Sequence, residues 1–327
     1  MFTEFYRKIN KLPQFVRIEA CSLCNLNCRD CYMRKSSQSQ PIIGNGYLKF
    51  KDFKNFIKKN PYIKNIELSL SGEIFLNPEL KKILRLASYK KINLTAFNGV
   101  NFNSVSEEML EALVKYQFKG ITFSIDGITD ETYSIYRRNG NLNKVIENIK
   151  KLNLYKEKYN SKFPILQWQY IIFKHNINEV NKAVNYAREL NMADIYFKEP
   201  WNREVTPRDC EFVNKFIPFR IFYDKEINKI LRDNEMDLCM QPWLAPQINW
   251  DGKLLGCCCS THHDLSVNVF ETGLKKALKS DSMKNMRLLL QGRNIKNSNM
   301  ACKFCYKYRF MEKTGRYLNE KEILSKL

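Results

Sequence analysis

The chain is 327 residues long, 44% hydrophobic and 13% aromatic, with 54 Lys and Arg against 34 Asp and Glu and a formal net charge of +20. That length has room for one large domain and a small one; no apolar run reaches the roughly 18 residues of a membrane-spanning helix, and Met1 to Lys8 carry no apolar signal core, so a cytoplasmic protein without a membrane partner is expected. The positive balance favours encounter with polyanions, but the lysines are scattered among asparagines and isoleucines instead of packed with aromatics into one arm, which leaves nucleic acid an unfavoured partner.

The first predicted element is the alternating run Phe15-Val16-Arg17-Ile18-Glu19-Ala20, a strand. Directly after it, Cys24-Asn25-Leu26-Asn27-Cys28-Arg29-Asp30-Cys31 spaces three thiols as C-x3-C-x2-C. The chain has eleven cysteines, and clustered cysteines inside a cell bind metal more often than they pair with each other. A 4Fe-4S cluster normally takes four thiolates, so a three-cysteine loop leaves one iron open to another ligand. Cys21 allows a second reading, C-x2-C-x3-C-x2-C, which is a structural zinc site or a fully ligated cluster. Against it, the period-2 pattern makes Cys21 a strand-end residue, and free cysteine is often a small buried hydrophobe.

Further strands are predicted at residues 66–70, 92–97, 121–125, 166–173 and 195–198, with amphipathic helices between them. Asn77-Pro78 reads as an N-cap followed by proline at the first helical position, opening a helix with Leu80, Ile83, Leu84 and Ala87 on one face. Leu142, Val145, Ile146, Ile149 and Leu152 repeat at helical spacing, as do Ile177, Val180, Val184, Ala187 and Leu190 behind an Asn176/Glu179 capping box. Strands alternating with helices imply a parallel sheet, and six units over residues 14–198 imply an open, partial (β/α)6 TIM-like barrel. In such barrels the C-terminal ends of the strands build the site. Those ends read Ser71-Gly72-Glu73, Asn98-Gly99 and Ser124-Ile125-Asp126-Gly127; each alone is an ordinary turn sequence.

From residue 199 to 235 the rhythm is lost, with Pro207 and Pro218 in a connector. Cys239-Met-Gln-Pro-Trp243 then leads through Gln247 to Trp250 into a hairpin turn at Asp251-Gly252, then to Cys257 and later to Cys302-Lys-Phe-Cys305. Four such cysteines could close around zinc or ligate a cluster fully. Cys258 and Cys259 crowd the second position and leave its identity open by one or two residues. They read as packing residues or, more sharply, as hydrogen-atom donors to a substrate radical. His262 and His263 read as loop residues.

Together these residues resemble the radical S-adenosylmethionine (SAM) superfamily, whose defining motif has the spacing of Cys24, Cys28 and Cys31 and whose open iron chelates SAM. Ser71-Gly72-Glu73 resembles the family's Gly-Gly-Glu motif with serine for the first glycine. The resemblance implies that Glu73 contacts the SAM amino group, and that Asn98, Ser124 and Asp126 make polar contacts to its methionine moiety and ribose. The stretch from Ile121 to Arg137, followed by Leu142-Asn-Lys-Val, looks like the branch with a C-terminal SPASM or twitch domain, in which Arg137 matches an arginine that reaches the cofactor. One departure is Asp30, where family members often carry an aromatic residue; Tyr32 follows the third cysteine. The run C-x2-P-W, then Gly252 to Cys257, then C-x2-C is similar to the single-cluster twitch version, implying an auxiliary 4Fe-4S cluster at Cys239, Cys257, Cys302 and Cys305.

The implied organisation is an N-terminal extension at 1–13, the barrel at 14–198, the connector at 199–235, the auxiliary domain at 236–310 and a tail at 311–327. A barrel beginning at residue 14 leaves no room for an N-terminal leader-recognition domain, which weighs against a peptide. The implied activity is reductive cleavage of SAM to a 5'-deoxyadenosyl radical that takes a hydrogen atom from a small polyol, sugar or peptide, for a two-electron oxidation. A low-potential donor such as flavodoxin or ferredoxin would supply the electron. A peptide epimerase, a tRNA-modifying enzyme, and a non-catalytic iron-sulfur or zinc RNA-binding protein are the rival readings.

Overall fold

The computed structural model describes residues 12–31, 33, 42–198, 200, 238–260, 265–295 and 300–327. Tyr32, His262, His263 and the expected connector, apart from Pro200, lie outside the described residues. One sheet has the strand order β6-β5-β4-β3-β2-β1-β7, built from β1 (Phe15–Ile18), β2 (Asn65–Glu67), β3 (Asn93–Val100), β4 (Gly120–Ser124), β5 (Ile165–Ile171), β6 (Asp194–Lys198) and β7 (Gln247–Ile248). All neighbouring strands are parallel. Helices return the chain between successive strands, namely α1 (Phe50–Lys59), α2 (Leu80–Tyr89), α3 (Glu107–Lys115), the pair α4 (Asp130–Tyr136) and α5 (Leu142–Lys158), and α6 (Val180–Glu189). Among the described residues the sheet ends at β6 and β7. It is therefore the expected open, partial TIM-like barrel, with a seventh strand added beside β1.

Burial explains why these segments form these elements. In α1, Phe53, Phe56 and Ile57 recur at helical spacing and are buried, each contributing about 1.5–3 kcal/mol. In α5 the expected stripe of Leu142, Val145, Ile146, Ile149 and Leu152 is buried, and Asn141 caps the helix by accepting the Lys144 amide. The strands alternate. Trp168 and Tyr170 of β5 are buried, Trp168 packing edge-on against Tyr186 of α6 at 6.3 Å, while Gln167 and Gln169 face the lumen with their register partners Thr122, Ser124, Asp194 and Tyr196. Register carries the same face to Arg17, Glu67 and Gln247. The inside of this barrel is polar.

One sequence expectation holds in its capping bond and two are corrected. Asn77 Oδ1 accepts the Glu79 amide at 2.8 Å, the bond expected of an N-cap with Pro78 after it, and regular α2 begins at Leu80. The Asn77 side-chain amide also donates to the Ala20 and Leu48 carbonyls at 2.9 and 3.0 Å, tying β1 to the entry of α1. The Asn176/Glu179 capping box does not form, because Asn176 accepts from the Phe173 amide and donates to the Asp126 and Ile171 carbonyls, while Glu179 accepts from the Ile128 amide and Thr132. A 3-10 turn, Ile177–Glu179, precedes α6 in its place. Finally, β2 ends at Glu67 instead of residue 70, since that carboxylate accepts from the Ser69 amide and hydroxyl, Thr95 and the Phe97 amide.

The turn at Asp251-Gly252 forms, with Gly252 at φ +90° and Ile248 bridging Leu254 in antiparallel sense. Its first arm is also β7. The remaining C-terminal residues are short helices, α7 (Gln241–Leu244), α8 (Val269–Thr272), α9 (Leu274–Ala277), α10 (Asp281–Leu290), α11 (Tyr306–Thr314) and α12 (Glu320–Lys326). Among the described residues no helix is long and apolar enough to cross a membrane.

Candidate active site

Cys24, Cys28 and Cys31 lie on the loop that leaves the C-terminal end of β1. Backbone bonds hold this loop to the end of α4: the Asn27 amide donates to the Arg138 carbonyl at 2.9 Å and the Arg29 amide to the Tyr136 carbonyl at 3.2 Å. The thiols have their own neighbours, with Asn101 Nδ2 donating to Cys24 Sγ at 3.6 Å and Arg137 Nη1 to Cys28 Sγ at 3.8 Å. Burial pushes both thiols up, and at Cys28 the Arg137 charge opposes it. Donors of this kind stabilise thiolate, the form that binds metal. Cys21 is fully buried, and burial pushes its thiol up to about 12, as suits a neutral packing residue. Asp30 pairs with Arg29 at 3.1 Å within the loop.

The turn after β2 is jammed against this loop. A methyl group on Gly72 would stand 2.2 Å from the Cys21 carbonyl oxygen and 2.6 Å from that of Leu23, both backbone atoms that cannot swing away, so only glycine permits the approach. Gly72→Ala is accordingly expected to destabilise the protein by roughly 1–3 kcal/mol through overpacking. Chemical denaturation measures it, and an unchanged midpoint would mean that the turn does not sit against the loop.

Glu73 follows and is 1% exposed, with its amide donating to the Leu23 carbonyl at 2.8 Å. Its carboxylate accepts from the Asn101 amide at 2.6 Å and the Phe75 amide at 3.3 Å. Burial raises the Glu73 carboxyl to about 7, against those amides. Asn101 thus joins Glu73 by its backbone to Cys24 by its side chain. Sequence reading passed over it, as an asparagine among four in residues 93–103 carries no signal of its own.

At the next strand ends, Asn98 Nδ2 donates to the Ser69 carbonyl, and Ser124 lies so close to Gly99 that a Cβ there would meet Ser124 Oγ at 2.3 Å. Asp126 is fully buried with both oxygens engaged, accepting from the Ile171 amide and from Arg137 Nε, each at 2.6 Å. Burial pushes the Asp126 carboxyl up while Arg137 opposes it; Arg137, in spite of burial, is held above its ordinary value by Asp126 and then by Cys28. The geometry therefore makes a chain from Ile171 through Asp126 and Arg137 to Cys28. Beyond it, Lys198 Nζ donates to Gln169 Oε1 at 2.6 Å at the ends of β5 and β6. The alternation of those strands was the signal that could have found this pair.

The second cysteine group gathers around β7 and the start of α11. The neighbouring Cys257 thiol pushes the Cys302 thiol up, and Cys258 and Cys305 together push Cys259 up. Cys258 and Cys305 are themselves pushed down by Cys259, Cys305 helped by the amides of Tyr308 and Lys307 in the first turn of α11 and Cys258 by the Arg17 charge. Burial pushes Cys239 up to about 12, with Cys257, Cys258 and Cys305 adding to it. Cys258 and Cys259 therefore belong to the same group as the four expected ligands, and Cys258 is its exposed member. Among the described residues no three His, Cys, Asp or Glu side chains close tightly enough to hold a single ion. All-thiol donor sets of this kind suit iron-sulfur clusters, which are wider than one ion.

Comparison with known proteins places these two groups in two families. Residues 18–162 match the Radical SAM superfamily and residues 239–306 match SPASM, described as an iron-sulfur cluster-binding domain. A cysteine-type anaerobic sulfatase-maturating enzyme of Clostridium novyi (strain NT) is 23% identical over 276 residues, covering 73% of this chain and 71% of that protein. Streptococcus suis SuiB bound to its precursor peptide SuiA superposes with a TM-score of 0.62 at 12% identity, covering 94% of this chain and 74% of that one. Native anSMEcpe with bound AdoMet and the Cp18Cys peptide gives 0.59 at 15% identity, with 90% and 86% covered. At such identities the structural likeness establishes the fold.

Proposed function

We propose, on the premise that this chain belongs to the radical SAM superfamily and carries a SPASM domain, that it carries out a two-electron oxidation of a peptide. Its cofactors are SAM and 4Fe-4S clusters. Bound together, the first cluster and SAM supply hydrogen-atom abstraction, and an auxiliary cluster supplies an electron acceptor; the protein's part is to bind, orient and exclude water. Cys24, Cys28 and Cys31 would hold the first cluster, and Cys239, Cys257, Cys302 and Cys305 the second. Glu73 offers a buried carboxylate to the SAM ammonium, a charge-assisted bond, while Ser124 and Asn98 offer polar atoms beside it. Asp126, already engaged on both oxygens, acts through Arg137. A low-potential carrier such as flavodoxin or ferredoxin would deliver the electron.

The observation that carries the reading is the second all-cysteine group, which follows the strand β7 that pairs with β1 and would hold a cluster able to accept an electron from a substrate radical. A peptide is favoured over a polyol or sugar because SuiB and anSMEcpe are each seen with a peptide. Anaerobically reconstituted protein should carry about eight irons, four per cluster; stoichiometric zinc without iron would sink the whole reading, and four irons with one zinc the auxiliary cluster. Incubation with SAM, dithionite and a panel of synthetic peptides, cysteine-containing ones among them, should then give a product short of two hydrogens, one SAM consumed per turnover.

Epimerisation is the second reading, favoured by one observation: Cys258 is the exposed thiol of the second group, and a protonated thiol can return a hydrogen atom to a substrate radical. In deuterated water it predicts deuterium on the reacting carbon at unchanged oxidation level, lost in the Cys258→Ala or Cys259→Ala variant. That result would replace the oxidation.

A further inference from the structure

We propose that Gln241 sets the reduction potential of the auxiliary cluster by donating a side-chain hydrogen bond to one of its sulfurs. The inference rests on the reading that the second cysteine group holds a 4Fe-4S cluster, and adds the residue that tunes it. Gln241 opens α7, close behind Cys239 in the chain. Its Oε1 accepts the Cys258 amide at 3.2 Å, which brings the side chain in among the cysteines. That bond also fixes which way the side chain is turned. A backbone N–H only donates, so the atom that faces Cys258 is oxygen and the amide nitrogen takes the other direction. There Nε2 is buried without a hydrogen-bond partner among the described residues, an arrangement native proteins rarely tolerate without a reason.

The reason lies in the chemistry of the neighbours. A cluster held by this all-thiol group would bring anionic thiolate and sulfide sulfurs, acceptors of the kind that a buried amide N–H requires. The donor stands on a firm base, since the Pro242 carbonyl accepts from Arg287 Nη2 at 2.9 Å and Nε at 3.3 Å while Arg287 Nη1 donates to the Leu278 carbonyl at 3.0 Å. Those bonds tie α7 to α10. A second polar group is already in place within the set: the buried Ser260 Oγ lies 3.4 Å from Cys257 Sγ. One-electron reduction adds negative charge to a cluster, so a donor to its sulfurs stabilises the reduced form more than the oxidised form and raises the potential. Gln241 thereby favours the auxiliary cluster as an electron acceptor.

The test is a redox titration followed by electron paramagnetic resonance, on the full-length chain with Cys24, Cys28 and Cys31 replaced by alanine and reconstituted anaerobically. In that background only the second group is left to hold a cluster. Gln241→Met keeps the length of the side chain without its donor, and should lower the equilibrium constant for reduction roughly tenfold, the scale of one hydrogen bond to a charged group. For one electron that is about 59 mV. A merely structural Gln241, holding Cys258 in place, would also move the potential, so the donor itself is read separately. Proton hyperfine spectra of the reduced cluster in ordinary and deuterated water should show an exchangeable coupling in the background protein that is missing from Gln241→Met. Should Gln241→Met not fold, Gln241→Leu should give both results. An unchanged potential overturns the tuning role alone, and so does a lowered potential with the exchangeable coupling intact. A folded Gln241 variant that binds no iron does the same, since the side chain would then serve to build the site. A folded background protein that holds no iron with Gln241 in place overturns the reading beneath and this inference together.

Discussion

Alanine in place of Cys24, Cys28 and Cys31 together is expected to abolish SAM cleavage and to lower the iron content from about eight to about four per chain, leaving a spectroscopically normal auxiliary cluster. The loop itself should survive the change. Its path is fixed by backbone bonds from Asn27 and Arg29 to the end of α4 and by Gly72 against residues 21–23, none of which involves the three thiols. The cysteines of the second group stand before α7, after the hairpin and just before α11, and shift one another's thiols. Cys21→Ala is the control: it should retain cleavage and lose only a small buried contact. If that variant loses the first cluster, the site has four cysteine ligands and no iron is open to SAM.

Asp126→Ala should have the largest effect on stability of any single change at the site. The Arg137 guanidinium, with 13% of its side chain exposed, would be left buried without its carboxylate, and the Ile171 amide would lose its acceptor. Breaking one side of a buried pair costs roughly 3–5 kcal/mol. SAM affinity should fall as well, since Arg137 would no longer be held against Cys28. Arg137→Met combined with Asp126→Ala should recover part of the stability but none of the affinity, because removing both charges leaves no unpaired ion. Urea unfolding and SAM titration of the three variants decide it. Full affinity in Asp126→Ala would mean that Arg137 is placed by something other than this carboxylate.

Much of this arrangement is legible in the sequence because its signals are local. Phe15 to Ala20 alternates, the stripe from Leu142 to Leu152 repeats at helical spacing, and the cysteine spacings are short enough to read directly. What was not legible depends on pairs distant along the chain. Asn176 carries a strong local capping signal, yet its side-chain amide is taken by the Asp126 and Ile171 carbonyls, where a buried carbonyl competes better than a cap exposed to water. β7 is two residues long and has no periodicity to detect. Asp126 reads as a ligand contact from its position at a strand end; that its two oxygens accept from Ile171 and Arg137 depends on segments a sequence pattern does not bring together.

The pairing of β7 with β1 joins positions 17 and 247 in one ladder, and this has a consequence for synthesis on the ribosome. Every other strand of the sheet has emerged by residue 198, so β1 waits with a row of unpaired amides and carbonyls until the segment containing Gln247 arrives. An open, apolar sheet edge is a template for pairing with another chain, and the risk lasts as long as translation of the intervening residues. A nascent chain stalled or cleaved between 200 and 246 would thus release a barrel with all its SAM-side motifs and an uncovered first strand, prone to associate with its own copies. Gln247 and Ile248 complete the sheet before Cys257, Cys302 and Cys305 emerge, so the barrel's first strand is covered before the second cysteine group is whole.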